Sequence, residues 1–323
     1  MKFYRKYLVI FTLAILVGLT LHLTLFYVNL GIPNQAARNN NGWLQIKDTY
    51  AQSINSPKLV FISGSNTLFG VDTERLEHEL SIPTVNYGVN AGLLFYNLHR
   101  ALPHLHSGDT VILPLEYSFY TYKCIPVETG YAQYITGYDI STFKALPLSI
   151  KISIISQLTT RELLKAAYHQ LKPPPVDNNN GYDSKYLNAN GDMTNNLVAK
   201  KTSANVLKGK LNDTVFKNAP VTADAQEELT SFIDYCHTNN ITVYAAWPNC
   251  LWKEKEFTGK DLDGIHAIEK FYHDHNVEIL GNYTDCLYDA ELFYDSEYHL
   301  NEEGKRIHTD YLINLLKDKL PQR

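Results

Sequence analysis

Two short stretches hold the residues best suited to chemistry. Phe293–Gly304 reads FYDSEYHLNEEG, with Asp295 and His299 four apart just before a helix-forming run. An imidazole beside a carboxylate can act as a general base, with the carboxylate fixing its tautomer. Far upstream, Gly64–Gly70 reads GSNTLFG, after an apolar run and opening toward a helix. A strand–turn–helix places the Ser65 hydroxyl near backbone amides that can stabilise an oxyanion. A serine activated by a histidine–carboxylate pair attacks acyl carbonyls. Both stretches also have plain structural readings. Asp295 and His299 can simply satisfy a turn, and GSNTLFG can be an ordinary glycine-rich βα turn. It is not a dinucleotide site, because G-x-G-x-x-G is absent.

These residues need a scaffold, and the surrounding pattern supplies one. Lys58–Ser63 (KLVFIS) suits a buried strand. Asp72 can cap a helix at Thr73–Leu80. Thr84–Tyr87 reads as a second strand, followed by Gly88–Gly92 and a helix to about Leu105. Thr110–Leu115 is a third. An amphipathic helix follows at Thr222–Asn239, then a strand at Ile241–Trp247, a helix at Leu262–Asn276 and a strand at Val277–Leu280. The last helix runs from Asn301, its cap, to Leu320, with Glu303 in the first turn. This alternation predicts a three-layer α/β fold of flavodoxin-like type, with about five parallel strands and helices on both faces. Crossovers should be right-handed. In such sheets the functional crevice lies beyond the carboxyl ends of the strands. That rule selects Ser63–Gly70, Asn86–Gly92, Pro114–Tyr117 and Trp247–Cys250, joined by Tyr294–Asn301.

Residues 118–220 break the pattern. They are rich in Tyr, Asn and Pro, with Pro173–Pro175 and Asn178–Gly181 as punctuation. They read as an insertion or cap over the sheet's C-terminal edge, with helical pieces at Ser141–Ala145 and Thr160–Gln170. Residues 58–323 thus form one α/β domain with an insertion.

The N-terminus sets the compartment. Lys2, Arg5 and Lys6 precede an uncharged run over 7–30. A bilayer core needs roughly 20 apolar helical residues. The positive-inside rule puts residues 1–6 in the cytoplasm and the main domain on the far side of an inner membrane, in a periplasmic or extracellular space. The apolar run exceeds the usual signal-peptide core of about 7–15 residues. His22 within it reads as a tolerated or snorkelling residue. Residues 31–57 read as a juxtamembrane linker with a short helix around Trp43–Ser53.

Composition narrows the classes further. The chain has 323 residues, is 45% hydrophobic and carries a net charge of −5. That suits a folded protein with a sizeable core and gives nucleic acid no electrostatic footprint. Cys124, Cys236, Cys250 and Cys286 match no zinc or C-x-x-C spacing. Cys250 and Cys286 can pair as a disulfide or stay as buried thiols, and both readings stand. His99, His104 and His106 read as a solvated helix end rather than a metal site. No metal or organic cofactor is implied. Trp247, Trp252, Tyr117, Tyr120 and Tyr122 can stack on sugars or fill the core.

Taken together, GSNTLFG, the NYGVNAG block and the DSEYHLNEEG ending resemble the SGNH/GDSL hydrolase superfamily. The resemblance covers Lys58–Tyr117 and Thr222–Leu320, not the middle insertion. It is nearest to membrane-anchored bacterial members associated with acylation of cell-envelope and exopolysaccharide glycans, including the alginate O-acetylation type. The resemblance implies an esterase or O-acyltransferase acting on such a glycan, with a membrane-bound acyl-donating protein as partner. Carried over by position, His299 is the base and Asp295 its partner. The family's spacing of three lands on Ser296 instead, and Glu297 is a weaker substitute. Counting back from Gly70 lands on Asn66, with Ser65 in the place of the family's Asp. Either Ser65 is the nucleophile through a shifted turn, or the nucleophile is missing. Gly88, Asn90 and Gly92 become oxyanion donors. Glu116 stands where the family has Asn, and a carboxylate cannot donate unless protonated. It can instead pair with a cation or orient a substrate hydroxyl. The alternative function is a catalytically silent glycan-binding or scaffold protein of the same fold.

Overall fold

The computed structural model describes residues 2–172, 181–211, 214–216, 221–254 and 256–320. Pro173–Pro175 and Asn178–Asn180 lie outside the described residues. The chain divides into two compact units. One comprises Met1–Asn41 with Cys124–Asn180, the other Gly42–Lys123 with Gly181–Arg323.

The second unit is built on five parallel strands. These are β1 (Leu59–Phe61), β2 (Thr84–Asn86), β3 (Thr110–Leu113), β4 (Thr242–Ala246) and, after a short β5 (Cys250–Leu251), β6 (Glu278–Leu280). Their order is β2-β1-β3-β4-β6. That is the flavodoxin-like arrangement of a doubly wound sheet. A separate pair joins β5 to β7 (Leu287–Tyr288). Alternation sorts the strand residues by face. Leu59, Phe61, Ile112, Ala246 and Leu280 pack with Leu76, Leu312 and Leu316 from the helices Thr73–Leu80 and Glu302–Leu316. A buried ion pair, Lys58 to Asp109 at 2.7 Å, ties the starts of β1 and β3.

The helix Thr73–Leu80 begins where its cap residue dictates. Asp72 accepts the Arg75 N–H. The segment expected as a linker behaves differently. Gln35–Ser53 is one helix, and the division between the units falls within it. In the second unit its Trp43, Leu44, Lys47 and Asp48 are buried. Lys47 Nζ donates to Asn86 O at 2.8 Å and Gly191 O at 2.6 Å. Burial drags its ammonium down to about 7, against the pull of Asp192. The polar Asn39–Gly42 stretch is helical here because buried side chains further along hold the helix.

The same contacts close the outer edge of β2. Asn190 donates to Thr84 O and accepts from Asn86 N. Glu77 accepts the Thr84 N–H, and Lys47 takes Asn86 O. The expected insertion is therefore shorter than 118–220. Tyr117–Tyr120 and Gly181–Lys210 belong to the unit that holds the sheet.

The first unit is helical. Lys2–Val28 is followed, from the middle of the chain, by Thr129–Tyr138, Ile140–Ala145, Leu148–Gln157 and Thr160–Leu171. The two helical pieces read from sequence are present. Thr159 and Glu162 form a reciprocal capping box at the last of these helices. Phe3–Val28 is long and apolar enough to cross a membrane. His22 does not snorkel. Its ring bonds Thr160 Oγ1 at 2.9 Å and Ile155 O at 3.1 Å. Asn29 donates to Leu163 O and accepts from Gln170. Cys250 and Cys286 are buried thiols that are not joined to each other.

Candidate functional site

The site lies in the second unit, and its first wall is the turn after β1. Ser63 Oγ lies 2.8 Å from both Asn66 Oδ1 and Pro114 O. The Asn66 amide donates to Pro114 O at 2.7 Å. Asn66 is thus a strut between this turn and the loop after β3, and it is buried. Ser65 is half-buried beside it. Its hydroxyl donates to Glu116 Oε1 at 3.1 Å, and the Asn66 N–H donates to the same oxygen at 2.9 Å. The absence of a Cβ at Gly64 lets the Glu116 carboxyl approach, since a Cβ there would sit 2.4 Å from Oε1 and displace it.

Glu116 is buried, and no ion pair reaches it among the described residues. Burial raises its carboxyl pKa above the ordinary range. The Asn66 N–H, the His299 charge and the Ser65 hydroxyl oppose that rise. The cation partner considered from sequence is not what the carboxylate meets. It meets the serine.

The loop after β2 differs from expectation in two donors. The Gly88 N–H goes to Asn86 Oδ1 at 2.9 Å, and the Gly92 N–H to Asn90 Oδ1 at 2.7 Å. Both amides are therefore engaged within their own loop. Gly88 is needed for packing, since a Cβ there would lie 2.5 Å from Leu68 N. Asn90 is exposed and keeps its amide nitrogen for another acceptor.

The last wall is a tight loop. Phe293 and Leu300 form an antiparallel bridge, and the Tyr294 N–H donates to His299 O at 2.7 Å. Asn301 caps the following helix through the Glu303 and Gly304 N–H groups. This closure brings a pair four apart into contact, with His299 Nδ1 2.6 Å from Asp295 Oδ1. The spacing of four is accommodated by that bridge. Tyr182 donates to the other oxygen, Oδ2, at 2.5 Å. Burial pushes the Asp295 carboxyl upward, but the bonds from His299 and Tyr182 outweigh it and hold it below the ordinary value. Burial and Asp295 together raise the Tyr182 hydroxyl well above the usual phenol range. The His299 ring stacks on Phe69 with centroids 4.1 Å apart and planes 9° apart. The Asn249 amide tethers the loop by donating to Tyr298 O at 2.7 Å.

These walls enclose a cavity of about 390 Å³, lined among others by Ser65, Asn90, Glu116, His299, Trp43 and Tyr182. The structure thus brings together four of the site residues expected from sequence. Asp295 stands behind His299, while Asn66 and Gly88 support the walls. Glu297 lines the cavity but does not partner His299. Tyr182 lay in the irregular middle segment and Trp43 in the expected linker, while Phe69 lay inside the GSNTLFG stretch without being singled out. His299 Nδ1 faces Asp295, and in the tautomer that carries its proton on Nδ1 the Nε2 has the lone pair a general base needs. No cluster of metal-binding side chains occurs among the described residues. His99 faces Glu228, and the buried His104 faces Asp48.

No family model matches the chain, and no curated protein matches it. Among solved structures it is similar to that of the Bacillus subtilis protein YxiM, at 10% identity and a TM-score of 0.38. The match covers 82% of this chain and spans 57% of that one.

Proposed function

We propose that the second unit is an esterase or O-acyltransferase of the SGNH type. One observation carries this reading: a 2.6 Å His299–Asp295 pair on the same cavity as the Ser65 hydroxyl. In mechanism, Ser65 Oγ attacks an acyl carbonyl and its proton passes to His299 Nε2. Asp295 orients the imidazole and stabilises its charged form. The Asn90 amide and the Ser65 N–H hold the oxyanion. The imidazolium then protonates the leaving oxygen. Water as acceptor gives hydrolysis, and a sugar hydroxyl gives transfer. Aromatic walls at Trp43 and Tyr182 suit a sugar ring. By resemblance, the substrate is an acylated envelope or exopolysaccharide glycan, and an acyl-donating membrane protein is the partner. Lys2, Arg5 and Lys6 before the span favour a cytoplasmic N-terminus and a periplasmic or extracellular catalytic unit.

A second reading, a silent glycan-binding or scaffold protein, is favoured by Glu116. Its carboxyl occupies both the Ser65 hydroxyl and the Asn66 N–H. The deciding experiment is acetyl-ester turnover by the full chain in detergent, beside Ser65→Ala and His299→Ala. Loss in both variants supports the enzyme. A folded, inactive parent that still binds glycan supports the second reading.

A further inference from the structure

The first unit carries an apolar surface that none of the chemistry above uses. On the helix Leu148–Gln157, Leu148 and Ile152 are 73% and 58% exposed. On Thr160–Leu171, Leu164, Tyr168 and Leu171 are 51%, 55% and 88% exposed. The spacings i, i+4 and i, i+4, i+7 put each set on one helical face. Such faces are normally turned inward or covered.

We propose that these two helices lie in the headgroup region of the bilayer that Lys2–Val28 spans, with those side chains in its acyl boundary. The inference rests on Lys2–Val28 being a membrane span. Arg5 and Lys6 mark the near face, so the hydrocarbon begins about Tyr7. A core of about 30 Å takes about 20 helical residues and ends near Phe26. The helix pair meets the span at that level. His22 bonds Ile155 and Thr160, Phe26 packs near Phe143, and Asn29 bonds Leu163 and Gln170. Both helices are therefore held where the span leaves the hydrocarbon. The bonds to His22 also satisfy an imidazole that would otherwise face lipid.

Charge selects lipid over a protein partner. Lys151, Arg161 and Lys165 stand against a single acid on the two helices, Glu162, which the capping box already engages. Arg161, Lys165 and Lys172 are exposed. Basic side chains flanking a leucine and tyrosine face are the composition of an interfacial helix on anionic headgroups.

The test uses the full chain in nanodiscs of phosphatidylcholine with phosphatidylglycerol. Leu148→Trp and Leu164→Trp report on the proposed surface, and Leu16→Trp reports on the span. The lipids carry bromine at shallow or deep acyl positions. The expected result is loss of the added tryptophan emission to shallow bromine at positions 148 and 164, and to deep bromine at position 16. Quenching at 16 without quenching at 148 and 164 overturns the proposal and keeps the span. Shielding of 148 and 164 from acrylamide without bromine quenching means that a protein or a second copy covers them, and also overturns it. No quenching at any position overturns the span and the proposal together.

Discussion

The Tyr182 hydroxyl and His299 Nδ1 hold opposite oxygens of one carboxylate, Asp295, at 2.5 and 2.6 Å. Tyr182 therefore helps fix the orientation and charge of the group behind the proposed base. Tyr182→Phe keeps the ring against Phe69 and removes only the donor. We expect roughly a tenfold fall in kcat with KM unchanged, the size of one lost bond to a charged group. Without that donor the Asp295 pKa rises from its depressed position, so the part of the low-pH loss of activity that comes from protonating Asp295 should begin at higher pH. A pH–rate series on both proteins checks the shift.

Ser65 and Asn66 are neighbours with separate duties. Asn66→Ala removes a buried strut and leaves Pro114 O and the Ser63 hydroxyl with fewer partners. It should cost roughly 1–3 kcal/mol in urea unfolding. Ser65→Ala should stay within about 0.5 kcal/mol of the parent in stability, as expected for a half-exposed site. Acyl turnover should vanish in the serine variant.

Glu116→Gln replaces a buried carboxyl by an amide that keeps the acceptor for Ser65 and Asn66. Burial places the folded carboxyl above its unfolded value. The stability linked to it is present below the unfolded pKa and lost as pH rises through the folded one. The variant does not titrate there. Its melting temperature should gain on the parent between pH 4 and pH 8, read by thermal unfolding at both.

His308 is buried, with Tyr288 OH 3.0 Å from its Nδ1. Desolvation lowers its pKa from 6.5 to about 3. The unfolded chain binds a proton below about 6.5 that the folded one refuses, so stability falls as pH drops through that window. His308→Gln should flatten the melting temperature between pH 6.5 and pH 4.

The parts legible in sequence were those fixed by local chemistry. The Asp72 cap begins its helix as expected because a cap bonds only its own first turn. Asp295, His299 and Asn301 share one short loop, so their spacing already carried the geometry. Tyr182 was hidden because its partner lies 113 residues along the chain. The helix through Asn39–Gly42 was hidden for a related reason. Its composition reads as linker, and burial of Trp43, Leu44 and Lys47 overrides that. Glu116 was placed by alignment, but its contact with Ser65 needed the fold.

The edge of β2 has a further meaning wherever copies of this chain are crowded together. An open strand edge is a template on which a neighbouring chain can add its own strand, the first step of sheet-mediated aggregation. Here the outward groups of Thr84 and Asn86 are consumed by Glu77, Asn190 and Lys47. Crowded copies on that side would find no free ladder to extend.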